Sequence, residues 1–312
     1  MDERQQHLLV ICGPTATGKS GLAIALARHV GGEIVNADSR QVYRYMDVGT
    51  AKPTPVQRAV APHHLLDVVD PDEPFTLADY LERAHGAIAG ILARGRLPIV
   101  AGGTGLYVRA LAQGFAVPRV PPDPRLRAEL EALAEAEGSA ALLARLRRID
   151  PHTADTIDAR NPRRLIRAIE VAKATGTSFA AQQMARPRYK TLILGLTTER
   201  AMLYERADRR VDAMMAAGFL DEVAALYARG YSPDLPALSG LGYRQLGEHL
   251  RGVHTLDDAV QATKRATHGF IRRQLTWFRR EPGIRWLDIA QDDVVAQAEQ
   301  CLAAPLAIGR AV

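Results

Sequence analysis

Residues 13–20 read Gly-Pro-Thr-Ala-Thr-Gly-Lys-Ser, set between the apolar run Leu8-Leu9-Val10-Ile11-Cys12 and a stretch carrying Leu22, Ile24 and Leu26. This is the pattern G-x-x-x-x-G-K-[ST] at full length, with strand and helix flanks in place. Glycines let successive N–H groups turn toward a polyphosphate, and the helix that follows directs its positive end at the same anion. The pattern predicts an anion cradle made by Gly13, Pro14, Thr15, Ala16, Thr17, Gly18, Lys19 and Ser20. Lys19 is expected to reach the terminal phosphates and Ser20 to hold a magnesium ion.

Strand and helix signals keep alternating after this unit. Strands are predicted at 7–12, 33–37 and 97–101, and helices at 19–30 and 77–94. That alternation implies right-handed crossovers and a parallel sheet covered on both faces, with ligands bound beyond the C-terminal strand ends. The texture changes at Pro118-Arg119-Val120-Pro121-Pro122-Asp123-Pro124, where four prolines in seven residues end regular structure. Beyond it Leu126, Leu130 and Leu133 recur at helical spacing. Asn161-Pro162 reads as a cap and first-turn proline, opening a helix that stops near Thr175-Gly176. Its apolar face is Leu165, Ile169 and Ala172, which leaves Arg163 and Arg167 on a shared flank. A β-branched strand returns at 191–196. The predicted fold is therefore α/β: a P-loop NTPase-like parallel sheet flanked by helices (1–118 and 190–312) with an inserted all-helical domain (119–189). The remainder reads as mostly helical. One long helix begins at Thr255 and ends before Pro282-Gly283, placing Arg265, Arg272 and Arg279 in one stripe.

The net charge of +5 over 312 residues is mild, but it is unevenly spread. Lys264, Arg265, Arg272, Arg273, Arg279, Arg280 and Arg285 face Glu281 alone in one tract, and Arg145, Arg147, Arg148, Arg160, Arg163, Arg164 and Arg167 form another. Two such tracts fit an extended polyanion, most simply nucleic acid; they equally fit solvated helix faces. Two cysteines exclude a disulfide framework and a Cys-based metal site. The first residues lack the apolar core of a signal peptide, and no apolar run reaches the roughly 20 residues that span a bilayer. A cytoplasmic protein with no membrane association is expected. His63 and His64 have no third ligand at metal spacing and read as structural.

The second strand ends in Asn36-Ala37-Asp38-Ser39, which puts an acid opposite the phosphate loop on what is expected to be the neighbouring strand end. Asp38 is the candidate catalytic base; its alternative is a turn cap with Ser39. The third strand gives Gly102-Gly103-Thr104-Gly105 where a phosphate-loop hydrolase would usually carry a carboxylate for magnesium and water. The glycines permit close backbone approach, and Thr104 offers a hydroxyl beside the phosphates. Arg206 and Arg210, one helical turn apart, are candidate phosphate clamps.

The residues together resemble one family, the tRNA dimethylallyltransferases. The match rests on Gly-Pro-Thr-Ala-Thr-Gly-Lys-Ser, Asp38-Ser39-Arg40-Gln41-Val42-Tyr43, Met46-Asp47-Val48-Gly49-Thr50-Ala51-Lys52-Pro53 and Gly-Gly-Thr-Gly-Leu-Tyr. It extends to Pro62-His63-His64-Leu65-Leu66-Asp67, Asn161 to Ala168, Gly242-Tyr243-Arg244-Gln245 and Arg272 to Arg279, over about residues 8–280. The resemblance implies transfer of a dimethylallyl group from dimethylallyl diphosphate to the exocyclic N6 amine of the adenosine 3′-adjacent to the anticodon. It implies Mg2+ as cofactor, Asp38, Thr104 and Arg210 as catalytic residues, and a monomer binding the anticodon stem-loop. The tRNA contacts it implies are Asp38, Ser39, Arg40, Gln41, Thr104, Arg127, Arg163, Arg164, Arg167, Gly242, Tyr243, Arg244, Arg272, Arg273, Gln274, Trp277 and Arg279. Trp277 is open to two roles, stacking on a base or packing in the core. Arg40, Ser239-Gly240 and His268-Gly269 depart from the family's usual residues. Competing readings are a small-molecule kinase, a relative that prenylates free adenine nucleotides, and a non-catalytic RNA-binding module.

Overall fold

Among the described residues six strands form one sheet, every pairing in it parallel: β1 (His7–Cys12), β2 (Glu33–Asn36), β3 (His63–His64), β4 (Pro98–Ala101), β5 (Lys190–Thr197) and β6 (Ile284–Asp288), in the order β3-β2-β4-β1-β5-β6. The structure is a computed structural model that describes residues 6–182, 186–291 and 293–303. Leu8, Leu9, Val10, Ile11 and Cys12 are all fully buried, so β1 is covered on both faces as a central parallel strand must be. One face packs Leu9, Ile11, Ile34, Ile99, Leu192 and Leu194 against Leu22 and Leu26 of helix Lys19–Val30 and Leu302 of helix Val294–Ala303. Each such aliphatic side chain contributes roughly 1.5–3 kcal/mol by leaving water.

Two of the strands, β3 and β6, lie at the sheet edges and carry no sequence signal of the kind that marks β1. β3 has two residues, and β6 (Ile-Arg-Trp-Leu-Asp) exposes its Arg285 and Trp286. Their conformation is set by pairing, β3 to β2 and β6 to β5, rather than by their own pattern.

The chain divides into two compact units, Met1–Ala112 with Arg188–Val312, and Gln113–Pro187. The division falls before the proline cluster because that cluster belongs to the helical unit. Arg186 N–H donates to the Gly114 carbonyl (3.1 Å), and Arg167 donates to the carbonyls of Pro118 (3.3 Å) and Val120 (3.0 Å). Arg167 is thus fastened to the proline segment and does not stand free beside Arg163. Within this unit Leu126, Leu130, Leu142, Leu146, Leu165 and Ile169 form one core. Helix Pro162–Thr175 starts at the Asn161 side chain, which accepts from Arg164 N–H, and stops at Gly176 in the left-handed region (φ 65°).

In the larger unit helix Leu256–Phe278 is capped by Thr255, whose side chain accepts from Asp258 N–H. Ile271 and Leu275 on it meet Ala16, Leu203 and Ala207, which joins the long helix, helix Arg200–Ala216 and the phosphate loop. No helix among the described residues is long and apolar enough to cross a membrane.

Candidate active site at the carboxyl end of the sheet

The segment between β1 and helix Lys19–Val30 folds tightly enough to need specific backbone conformations. Gly13 has φ 134°, and a Cβ there would lie 2.4 Å from the Leu196 carbonyl oxygen of β5. Ala16 is also left-handed (φ 68°), an unusual state for a residue with a side chain, and Arg206 Nε holds its carbonyl at 2.8 Å. Gly18 caps the helix without any side-chain acceptor, so the first helical N–H groups are left for a ligand. Lys19 Nζ turns back to the Pro14 carbonyl at 2.7 Å, and Thr17 Oγ1 donates to the same oxygen at 2.9 Å. Burial and the neighbouring Arg210 charge lower Lys19 to about 8, with Asp38 opposing them. Arg210 is itself lowered by burial, again opposed by Asp38. Cys12, at the base of the loop, has its thiol pushed up to about 12 by burial and is unreactive packing.

One loop donor is already engaged. Thr15 N–H donates to Gln274 Oε1 (2.9 Å), and Gln274 Nε2 donates to the Gly103 carbonyl (2.9 Å). Gln274 is 5% exposed, so both ends of its amide clamp the phosphate loop to the glycine loop. Its amide therefore has a framework role between the two loops.

Asp38 sits two residues past the end of β2. β2 is not beside β1, as the sequence suggested; β4 lies between them. Asp38 still shares a cavity with Lys19 because two glycines follow β4, and a Cβ on Gly102 would stand 2.1 Å from the Ala37 carbonyl oxygen. Asn36 holds the turn: its Oδ1 accepts from Asp38 N–H (3.0 Å), and its Nδ2 donates to the carbonyls of Asp38 (3.0 Å) and Leu65 (3.1 Å). The Asp38 carboxylate accepts from Arg40 N–H (2.9 Å) and has no ion-pair partner among the described residues. Thr104 Oγ1 accepts from Ser39 N–H (2.9 Å) and donates to Ser39 Oγ (3.3 Å), so the hydroxyl pair is fixed beside the acid.

Two cavities meet here. The first, about 830 Å3, is lined by the phosphate loop with Lys19 and Ser20, by Asn36, Asp38 and Gln41, and by Asp47 to Pro55 in part. The second, about 300 Å3, is lined by Ser39, Arg40, Thr104, Ser239, Leu241, Tyr243 and Arg273 among others. Thr15, Asp38, Thr50, Arg210, Met214 and Phe270 line both.

The segment 47–52 that borders the cavities is held chiefly by Glu222, a residue sequence reasoning did not single out. Glu222 accepts from the N–H groups of Asp47 (2.8 Å), Val48 (2.7 Å) and Gly49 (3.1 Å) and from the Tyr243 hydroxyl (2.6 Å). Lys52, its side chain 1% exposed, donates to Asp47 Oδ1 (2.5 Å), Asp67 Oδ1 (2.6 Å) and the Tyr43 carbonyl (2.8 Å). Gln41 Nε2 donates to the Thr50 and Ala51 carbonyls at 3.1 and 3.3 Å.

The residues expected to face RNA fall into two sets. Arg163, Arg164, Arg273 and Arg279 are exposed, and Arg244 is exposed beside Glu248. Arg272 is exposed with one guanidinium nitrogen 3.2 Å from the Tyr204 hydroxyl. The second set makes internal contacts. Arg127 Nε and Arg167 Nη1 pair with Glu170 at 2.7 and 3.4 Å. Arg40 donates to the carbonyls of Pro236 (2.6 Å) and Ala237 (3.2 Å) and to Ser239 Oγ (3.1 Å), bracing the wall of the second cavity. Gly242 and Tyr243 are buried, and Trp277 packs beneath Gly105, where a Cβ would come within 2.3 Å of its ring. Arg109 Cζ covers the Trp277 ring at 4.4 Å from the centroid. Arg206 serves the Ala16 carbonyl, and His64 Nε2 lies 2.7 Å from Glu33, giving both a framework role.

Comparison with known proteins places this arrangement among others. The family model described as IPP transferase matches residues 41–281, and one described as isopentenyl transferase matches residues 6–60. The chain is 53% identical over 292 residues to a tRNA dimethylallyltransferase of Roseiflexus sp. (strain RS-1), covering 93% of this chain and 96% of the relative. It is 50% identical over 280 residues to one of Chloroflexus aurantiacus (strain J-10-fl), covering 89% and 95%. Among solved structures, the full-length tRNA isopentenylpyrophosphate transferase of Bacillus halodurans superimposes with a TM-score of 0.74 at 40% identity, covering 97% of each chain. A eukaryotic dimethylallyltransferase captured acting on tRNA gives 0.80 at 27% identity, covering 96% of this chain and 78% of that one.

Proposed function

The chain belongs to the IPP transferase family, and from that premise we propose that it transfers a dimethylallyl group from dimethylallyl diphosphate to the exocyclic N6 amine of the adenosine 3′-adjacent to the anticodon of tRNA. The observation that carries this reading is the pair of abutting cavities: one holds the phosphate loop, and both share Asp38 and Arg210. A donor gripped by its diphosphate in the first cavity presents its allylic carbon at the shared wall. An adenine entering the second cavity meets that carbon and Asp38 together. A stacked base cannot enter a cavity of this kind, so the adenosine is flipped out of the loop.

The chemistry follows from the charges. An adenine amine is a weak nucleophile because its lone pair is delocalised into the ring. Asp38 accepts the N6 proton as the N6–C1 bond forms and the C1–O bond breaks. The electron pair leaves with diphosphate, whose growing negative charge meets Lys19, Arg210 and the uncapped N–H groups of helix Lys19–Val30. Thr104, hydrogen-bonded to Ser39, fixes the loop that carries Asp38 and lines the acceptor side.

The Ser20 hydroxyl and the Asp38 carboxylate line the same cavity, and such hard oxygen donors suit Mg2+, which takes few protein ligands alongside phosphate oxygens and water. Bound through Ser20, the ion would neutralise charge on the diphosphate. Arg163, Arg164, Arg244, Arg272, Arg273 and Arg279 are the exposed cations available to anticodon stem-loop phosphates. We take the chain to act as a monomer, and a tRNA substrate fits a cytoplasmic location.

The test is incubation with dimethylallyl diphosphate, magnesium and unmodified tRNA, followed by mass spectrometry of the nucleosides. A prenylated adenosine from tRNA but not from free AMP supports the reading. Prenylated AMP, or ATP consumption with no prenyl transfer, overturns it.

A further inference from the structure

The wall common to the two cavities contains six residues, and their chemistry is split. Thr15, Asp38, Thr50 and Arg210 are polar; Met214 and Phe270 are its two apolar side chains. Met214 comes from helix Arg200–Ala216, one turn after Arg210, and Phe270 from helix Leu256–Phe278, one turn before Gln274. The side chains that grip the anion and clamp its loop therefore sit on the same two helices as the apolar pair, four residues away in each case. Both Met214 and Phe270 are only partly buried, so each presents apolar surface to the cavities.

We propose that Met214 and Phe270 are specificity-determining residues that bind the hydrocarbon part of the donor at the junction of the cavities. The inference rests on the donor reading given above. A five-carbon chain tethered by its diphosphate to the Lys19 side must cross this wall to be reached from the acceptor side. At the wall every other group is polar, and an allyl group against Asp38 or Arg210 alone would leave their desolvation uncompensated. Phe270 supplies an aromatic face, and Met214 an unbranched thioether that adapts to a small branched chain. Transfer from water to such a surface is what distinguishes the prenyl diphosphate from bare diphosphate, because the anion grip is common to both.

The discriminating experiment is calorimetric titration of the magnesium-containing protein with dimethylallyl diphosphate and, separately, with inorganic diphosphate. The variants are Phe270→Ala, Met214→Ala and the near-isosteric Met214→Gln, which keeps volume and removes apolarity. The expected result is a loss of dimethylallyl diphosphate affinity on the order of tenfold per variant, with inorganic diphosphate affinity unchanged. Equal weakening of both ligands overturns the proposal and makes the pair a support for the helices. Unchanged affinity for both overturns it as well. Failure of the unaltered protein to bind either diphosphate sinks the donor reading itself, and is seen before any variant is made.

Discussion

Strand β2 has a carboxylate near each end, and the two are treated in opposite ways. Glu33, its first residue, is 2% exposed and surrounded by basic side chains: Arg94 binds it at 2.7 and 3.0 Å, His64 at 2.7 Å and Arg96 at 3.2 Å. Hydrogen bonding from Arg94, resisted by burial and aided by His64, lowers its pKa to about 2. Asp38, just beyond the last residue, accepts one backbone N–H and faces Lys19 and Arg210 across a cavity without an ion-pair contact. A closed charge network serves the fold. Lys19, lowered to about 8 by burial first and by the neighbouring Arg210 charge second, marks a place prepared for an anion that arrives later.

The largest effect on stability is expected at the closed end of β2. Replacing Glu33 by Ala removes the acceptor that Arg94, Arg96 and His64 share; with both guanidinium groups about half exposed, the loss should cost about 1.5–3 kcal/mol of folding stability, read by denaturant melts, with turnover at low temperature preserved. The pH dependence sharpens this. The folded-state value of about 2 lies below the ordinary carboxyl value of 4.5, so the stabilisation is complete above 4.5 and is lost as pH falls toward 2. Glu33→Gln should flatten the acid limb of the stability profile. Loss of turnover in a folded Glu33 variant would show that the two ends are not separable.

Glu222 is intermediate, a carboxylate that closes on four donors but does so at the border of the cavities. An amide in its place offers one acceptor oxygen where the carboxylate offered two. Glu222→Gln should cost about 1–3 kcal/mol of stability and also raise KM for tRNA. A purely thermal effect would move Glu222 to the closed class.

At the open end, the low value of Lys19 has a binding consequence. A diphosphate favours the charged ammonium, so binding takes up a proton once pH exceeds about 8. Inorganic diphosphate affinity should hold below that value and fall by up to about tenfold per unit above it, and Lys19→Met should abolish the dependence. A flat profile in the unaltered protein would contradict the electrostatic description of the cradle. The smallest effect belongs to the exposed arginines. Arg272→Ala with Arg279→Ala should reduce the salt slope of tRNA binding by about one to two units, measured by filter binding across salt concentrations. An unchanged slope would make them solvated surface.

What could be read from the chain beforehand was whatever is encoded locally. β1, the phosphate loop, its helix, and helix Pro162–Thr175 with its Asn161 cap and Gly176 stop all follow from adjacent residues. The basic tracts were visible too, although charge pattern alone could not separate exposed Arg163 and Arg164 from Arg167, which is fastened to Pro118 and Val120. The long-range clamps were not legible. Gln274 meets Thr15 across 259 positions, and Glu222 meets Asp47 across 175. A glutamine and a glutamate on helices look like any solvated residue until the fold brings their partners to them. Sheet order was hidden for the same reason: the Gly102-Gly103 pair read as room for a ligand, and it is also what lets β4 lie between Asp38 and the loop.

Asp38 is held open for proton transfer, and single-turnover prenyl transfer by Asp38→Asn is the decisive measurement. With tRNA and dimethylallyl diphosphate both saturating, the expected rate is lower by about 10²–10⁴-fold, with tRNA affinity and melting temperature unchanged. A variant that transfers the prenyl group at the normal rate would contradict it and leave Asp38 as a turn cap.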